Sequence, residues 1–194
     1  MFLSEKERLA HITPLPIDKS GYFIDGAHVA RFDKIPWSPF NLIGSAEGPV
    51  FKLMTVNWER DMFVMILDVP GGMKVEPHYH LGEAYGFILS GSFDYEYGKI
   101  VANNYIGEGA SIAHSAVIGP DSVLQYSILF GGLCGVKPDG SPDLSVIVGC
   151  RAVYEMALRN NAAGHIAPPP EGWKSQWETP EAIAAVQMRS LAPA

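Results

Sequence analysis

"GGMKVEPHYHLGEAYGFILSG", residues 71–91, sets two histidines one residue apart inside an otherwise apolar, strand-prone run. A strand sends alternate side chains to one face, so His78 and His80 point together, roughly 7 Å apart along the chain. That spacing suits two imidazoles converging on one metal ion, and Pro77 suits a strand start or edge. A third histidine, His114, comes one hairpin later in "GEGASIAHSAV", again inside an apolar strand. Three imidazoles on neighbouring strands lining a barrel mouth would give neutral nitrogen ligands with open positions opposite, as iron sites use to admit substrate and oxygen. His11, His28 and His165 lack such neighbours and read as hydrogen-bonded core or surface residues.

Around this stretch, short apolar segments rich in β-branched and aromatic residues alternate with glycine and proline turns. They cover 49–58, 62–69, 73–80, 83–90, 92–98, 111–118, 122–132 and 144–158, which implies a sandwich or barrel and not βαβ units. The ends differ. Residues 5–11 suit a helical turn or two, and "TPEAIAAVQMRSL" carries a cap at Thr179, a proline at its first helical position and an acidic first turn. The triple proline at 168–170, with Trp173 and Trp177, suggests an extended arm packed over the barrel. The expected organisation is one domain: an N-terminal arm over 1–40, a β-barrel over 41–160, and a C-terminal arm and helix over 161–194.

With 194 residues, 47% hydrophobic and 18% charged, the chain is long enough for one well-buried core. A net charge of −7 argues against nucleic acid or an anionic membrane as partner. No apolar run approaches the ~20 residues of a membrane span, and the N-terminus lacks the apolar core of a secretion signal. Cys134 and Cys150 sit in apolar surroundings and read as buried free thiols of a reducing compartment, so a cytoplasmic location is expected. There is no phosphate-cradling glycine loop before a helix, no nucleophile elbow and no zinc-finger spacing. Ser115 is adjacent to His114 and so points to the opposite face, which argues against a serine–histidine pair.

The 71–91 stretch resembles the first cupin motif, and "YIGEGASIAHSAV" resembles a degenerate second one. "PWSPF" at 36–40, "VFKLMTVNW", the "LDVPGGMKVEPHYHLGEAYGFILSG" core and "SFDYEYG" extend the resemblance over residues 36 to about 132. They are similar to cupin dioxygenases of the dihydroxyacetophenone-cleaving and diketone-cleaving kind, and to the zinc-binding cupin of an anti-sigma factor. The resemblance implies an all-β, single-domain jelly-roll barrel with short helical segments at its ends, a homodimer, and a metal held by His78, His80 and His114. It implies Fe(II) as cofactor; imidazole also accepts Zn, Mn, Ni or Cu.

Two departures qualify this. The family pattern places a glutamate ligand where this chain has Ala84, and the second motif lacks its proline, with Glu108 and Ser111 nearby. Glu83 stands one place early, and strand alternation aims it away from the Ala84 face. A bulge at Gly82 would return it as a fourth ligand; otherwise it is a surface carboxylate or one behind the ligands. Three neutral imidazoles alone would leave a divalent ion its full charge, favouring an anionic, oxygen-chelating substrate. Ala84, Gly86, Ile88 and Gln125 are expected along the pocket, and Glu96 and Tyr97 are acid–base candidates or groups behind the ligands. The implied activity is O2-dependent cleavage of a C–C bond in an aryl hydroxy-ketone or β-dicarbonyl, giving two carboxyl-containing fragments. The alternatives are a metal-dependent isomerase, epimerase or lyase, which would need Glu83, Glu96 or Tyr97 as base, and a non-catalytic metal- or ligand-binding cupin.

Overall fold

In the computed structural model the described residues are 21–24, 27–40 and 48–177, so the helices expected near 5–11 and from Thr179 lie outside them. In chain order the strands are β1 (Gly21–Ile24), β2 (Ala27–Ala30), β3 (Ser38–Pro39), β4 (Val50–Asn57), β5 (Met62–Val69), β6 (Lys74–His80) and β7 (Ala84–Ser90). They continue with β8 (Ser92–Tyr95), β9 (Gly98–Val101), β10 (Tyr105–Glu108), β11 (Ala113–Ile118), β12 (Val123–Phe130), β13 (Leu133–Val136) and β14 (Pro142–Val148). One α-helix follows, α1 (Cys150–Arg159).

Two six-stranded antiparallel sheets build the jelly roll. One runs β10-β7-β12-β5-β4-β3 and the other β14-β13-β6-β11-β8-β9, while β1 and β2 form a separate hairpin. The fold is the all-β jelly-roll barrel expected. Gly91 closes the β7–β8 corner at φ +79, and a Cβ there would sit 2.1 Å from the Ser122 carbonyl oxygen. Only glycine meets both demands.

The main departure from the expected strands lies at 144–158. Its first half is β14, but Gly149 ends the extended run and Cys150 begins a helix. Cys150, Val153, Tyr154 and Ala157 are buried at helical spacing, a period that a short apolar run conceals among β-branched residues. Strands β9 and β10 fall where the sequence reading placed none. Cys134 and Cys150 are both buried and free.

Two apolar clusters hold the sheets together. One gathers Phe51, Leu53, Phe63 and Met65 with α1, and the other Val69, Ile88, Phe93, Ile106, Ile118 and Val123. Phe51, Leu53, Phe63 and Ile88 are wholly buried, each contributing about 1.5–3 kcal/mol of transfer free energy. The proline-rich segment after α1 lies against the barrel. Trp58 donates its indole N–H to the Ala167 carbonyl at 2.9 Å, and Trp173 donates to the Trp58 carbonyl at 2.6 Å. Among the described residues no helix is long and apolar enough to cross a membrane.

Candidate metal centre

The histidine site is assembled by register. On the second sheet β6 pairs with β11 so that His78 stands directly opposite His114, and His80 shares the His78 face two residues on. The pairing slips by a bulge between His114 and Ala116, which frees the Ser115 backbone from the ladder. Glu96 takes up that N–H, accepting it at 3.0 Å and the Ser115 hydroxyl at 2.8 Å. It thereby braces the strand beside His114 from the solvent side.

The three imidazoles converge. Ring centroids lie 4.3 Å apart for His78–His114, 5.1 Å for His80–His114 and 5.3 Å for His78–His80. One ring nitrogen from each falls in a group whose members are within 4.8 Å of one another. His78 Nδ1 is 3.1 Å from the Glu76 carbonyl oxygen and so carries its proton there, which leaves the Nε2 lone pair to face inward. The Nε2 atoms of His80 and His114 are 3.0 Å apart. Burial, then the neighbouring His114, holds the His78 imidazole below its ordinary pKa. Burial likewise pushes His80 down to about 4. Both rings therefore present neutral lone pairs at pH 7.

A carboxylate joins them that the sequence reading did not assign to the site. Glu108 Oε1 lies 3.1 Å from His114 Nε2, and its Oε2 lies 3.6 Å from His80 Nε2. Burial alone would raise the Glu108 pKa, but the His114 hydrogen bond and the neighbouring histidines bring it below the usual carboxylate range. Glu108 ends β10 on the opposite sheet, in register with Ala84. The family's carboxylate position on β7 is thus held by alanine, and the acid comes from the adjoining strand across it. The signal available in the sequence was Glu108 within "GEG" together with the small residue at 84.

The other expected residues separate clearly. Glu83 is exposed, and its Oε2 accepts the Tyr85 hydroxyl at 2.6 Å, outside the histidine group. Tyr97 is 62% exposed; its neighbour Tyr95 instead packs its ring against His114 at 5.5 Å. Ala84, Gly86 and Gln125 line a cavity between the sheets, together with His78, His80, Glu108 and His114. Ile88 lies in the apolar cluster behind that wall. The cavity measures about 110 Å³, and much of its remaining lining is aliphatic or aromatic, including Met65, Val75, Phe93 and Ile118.

Three converging imidazole nitrogens with one ionised carboxylate beside them fit a divalent transition-metal ion, whereas magnesium and calcium sites are built from oxygen. The buried Nδ1 atoms of His80 and His114 have no hydrogen-bond partner, so both rings engage the rest of the site through Nε2.

Residues 25–131 match the model of the ChrR cupin-like domain. The chain belongs to this cupin family. No curated protein matches it. Among solved structures, this cupin is similar to a protein from Methylibium petroleiphilum provisionally described as an acetylacetone dioxygenase, with 27% identity and a TM-score of 0.57. That alignment covers 66% of this chain and 91% of the other. A cupin protein from Ralstonia eutropha aligns at 20% identity and TM-score 0.60, over 76% of this chain and 92% of its own. An acetylacetone dioxygenase from Acinetobacter johnsonii aligns at 18% identity and TM-score 0.54, over 63% and 85%. The last two likenesses concern the fold alone.

Proposed function

We propose that this cupin is a ferrous-ion dioxygenase cleaving a C–C bond of a small β-dicarbonyl compound. The observation that carries the reading is the convergence of His78, His80 and His114 with the Glu108 carboxylate at one wall of a small apolar cavity. The likeness at 27% identity to a protein described as an acetylacetone dioxygenase supports the same choice. Cavity size favours the dicarbonyl over an aryl hydroxy-ketone. About 110 Å³ is well below the ~300–1,000 Å³ of drug-sized ligand sites, leaving space for a molecule of a few heavy atoms.

His78, His80 and His114 would hold the ion, which when bound would polarise two substrate oxygens and make its electrons available to dioxygen. Glu108 is the base. Its carboxylate is ionised at neutral pH and stands at the histidine wall, where it can take a proton from the carbon between the two carbonyls to give the enolate. The presence of this acid alters the charge argument made from histidines alone: selectivity for an anion then comes from a base that generates it in place. The apolar walls exclude water from the enolate, and Ala84 and Gly86 leave the room beside the histidines. Both oxygen atoms of O2 end in the products. The carbonyl carbon at the broken bond becomes a carboxylic acid. The central carbon of a simple diketone, left with one carbon substituent, becomes an aldehyde, so the fragments are an acid and a 2-oxo-aldehyde.

The test is anaerobic ferrous reconstitution followed by oxygen uptake with pentane-2,4-dione, expected to consume one O2 per diketone. Conversion of carbonyl compounds by the same protein without oxygen would overturn this in favour of a metal-dependent isomerase or lyase.

A further inference from the structure

The inner face of the first sheet carries one polar pair that the mechanism above does not use. Across β7 and β12, Ser127 is in register with Gly86, and Leu129 with Ala84. Gln125 stands two residues along β12 from Ser127 and lines the same cavity. Its Nε2 donates to Ser127 Oγ at 2.9 Å, and Ser127 is only 4% exposed. That bond fixes the amide over Gly86. A Cβ built at residue 86 would lie 2.7 Å from Gln125 Nε2 and 3.3 Å from its Cδ. The carboxamide therefore occupies the volume that any side chain at 86 would take, one strand row from Ala84 and Glu108.

Such an amide has more capacity than one serine uses. Its oxygen and second N–H have no partner among the described residues, and the walls around it include Leu67, Val69, Ile106 and Val123. A polar group in apolar surroundings is tolerated best when a ligand completes its hydrogen bonds, and a site built that way rejects an isostere lacking the matching group. One face of the cavity, with the histidines and Glu108, deals with the two chelating oxygens. Gln125 then addresses something further along the molecule.

We infer that Gln125, held by Ser127 in the space left by Gly86, is a specificity-determining residue that selects β-dicarbonyl substrates ending in a hydrogen-bond donor, such as the amino group of a β-keto amide. This rests on the β-dicarbonyl reading of the site. With its Nε2 engaged on Ser127, the amide presents its oxygen as an acceptor, and the complement of an acceptor is a donating terminus. The small cavity places that terminus within a few atoms of the dicarbonyl, which excludes long acyl chains.

Pentane-2,4-dione and acetoacetamide test this, because they share one shape and differ by a methyl against an amino group. Their dissociation constants from the anaerobic ferrous protein are measured by calorimetry for wild type, Gln125→Leu and Gly86→Ala, with thermal melts confirming folded variants. Their affinity ratio cancels the different acidities of the two compounds when it is compared between variants. The wild-type preference for acetoacetamide, relative to either variant, is expected to be about tenfold greater, the value of roughly one well-placed hydrogen bond. Gly86→Ala should act like Gln125→Leu, since its methyl displaces the amide while crowding both isosteric ligands alike. An unchanged ratio in Gln125→Leu, with both compounds still binding, overturns the inference and leaves the dicarbonyl reading standing. Failure of both compounds to bind the ferrous wild type overturns the two together.

Discussion

Two groups of histidines lie in this barrel, and burial treats them alike. His165 is 3% exposed, stacks on His28 with ring centroids 6.0 Å apart, and is held below its ordinary pKa by burial. His78 and His80 are depressed in the same direction for the same first reason. What differs is the partner. His165 Nε2 lies 2.9 Å from the Leu53 carbonyl oxygen and His28 Nε2 3.2 Å from the His165 carbonyl oxygen, so these rings spend their protons tying the C-terminal arm and the β1–β2 hairpin to β4. The nitrogens of His80 and His114 meet each other and a carboxylate at the edge of a cavity. A depressed histidine is therefore no mark of a site here. Convergence of ring nitrogens with an acid beside a cavity is.

The sharpest way to break this contrast is substitution within each group. Alanine at His78, His80 or His114 should weaken metal affinity by more than about 100-fold and abolish oxygen uptake, with the barrel still folded by circular dichroism. Metal content near wild type in any one of the three would remove that histidine from the centre. Glu108→Gln keeps shape and loses the base, so the rate of oxygen uptake should fall on the order of 10²–10⁴-fold while metal content stays high. Loss of the metal instead would recast Glu108 as a ligand.

Within the other group, His165→Leu should leave metal content alone and lower stability by about 1–3 kcal/mol, because the Leu53 carbonyl loses its donor. Denaturant unfolding of the metal-loaded protein measures it. Its pH dependence has a definite sign. The folded His165 pKa lies below its unfolded value of 6.5, so this contribution is complete above 6.5 and is lost as pH falls below it. The stability gap between wild type and His165→Leu should accordingly narrow on acidification from pH 7 to 5. A gap that widened would contradict a neutral, buried His165. The smallest effect is expected at Glu96→Gln. Exposed and bound to the bulged Ser115, it should shift metal affinity by less than about threefold, read by competition with a chelator.

The parts of this centre that were legible in the sequence are those governed by a single strand. Period-two alternation put His78 and His80 on one face, and the apolar run holding His114 made a neighbouring strand of it. Alternation does not separate Tyr95 from Tyr97, which stand two residues apart: β8 ends at Tyr95, whose ring packs against His114, and Tyr97 beyond the strand end is exposed. Glu83 precedes the family's ligand position by one residue, yet its carboxylate accepts the Tyr85 hydroxyl at the surface. Glu108 was not legible as its replacement. It reaches Ala84 only through the β10–β7 pairing, and β10 was not among the strands expected. Likewise α1 shared its composition with β14, and only the break at Gly149 separates their periods.

The sequence by itself determined the barrel, the histidine trio and the free thiols, because alternation, turn residues and composition act over a few neighbouring positions. The tertiary structure alone decided which carboxylate faces the histidines and how large the cavity is. It also decided what occupies the gap at Gly86. Each of these depends on strands from two sheets meeting across the core, and the register between distant segments is fixed by the packing of the whole fold, not by any one stretch of chain.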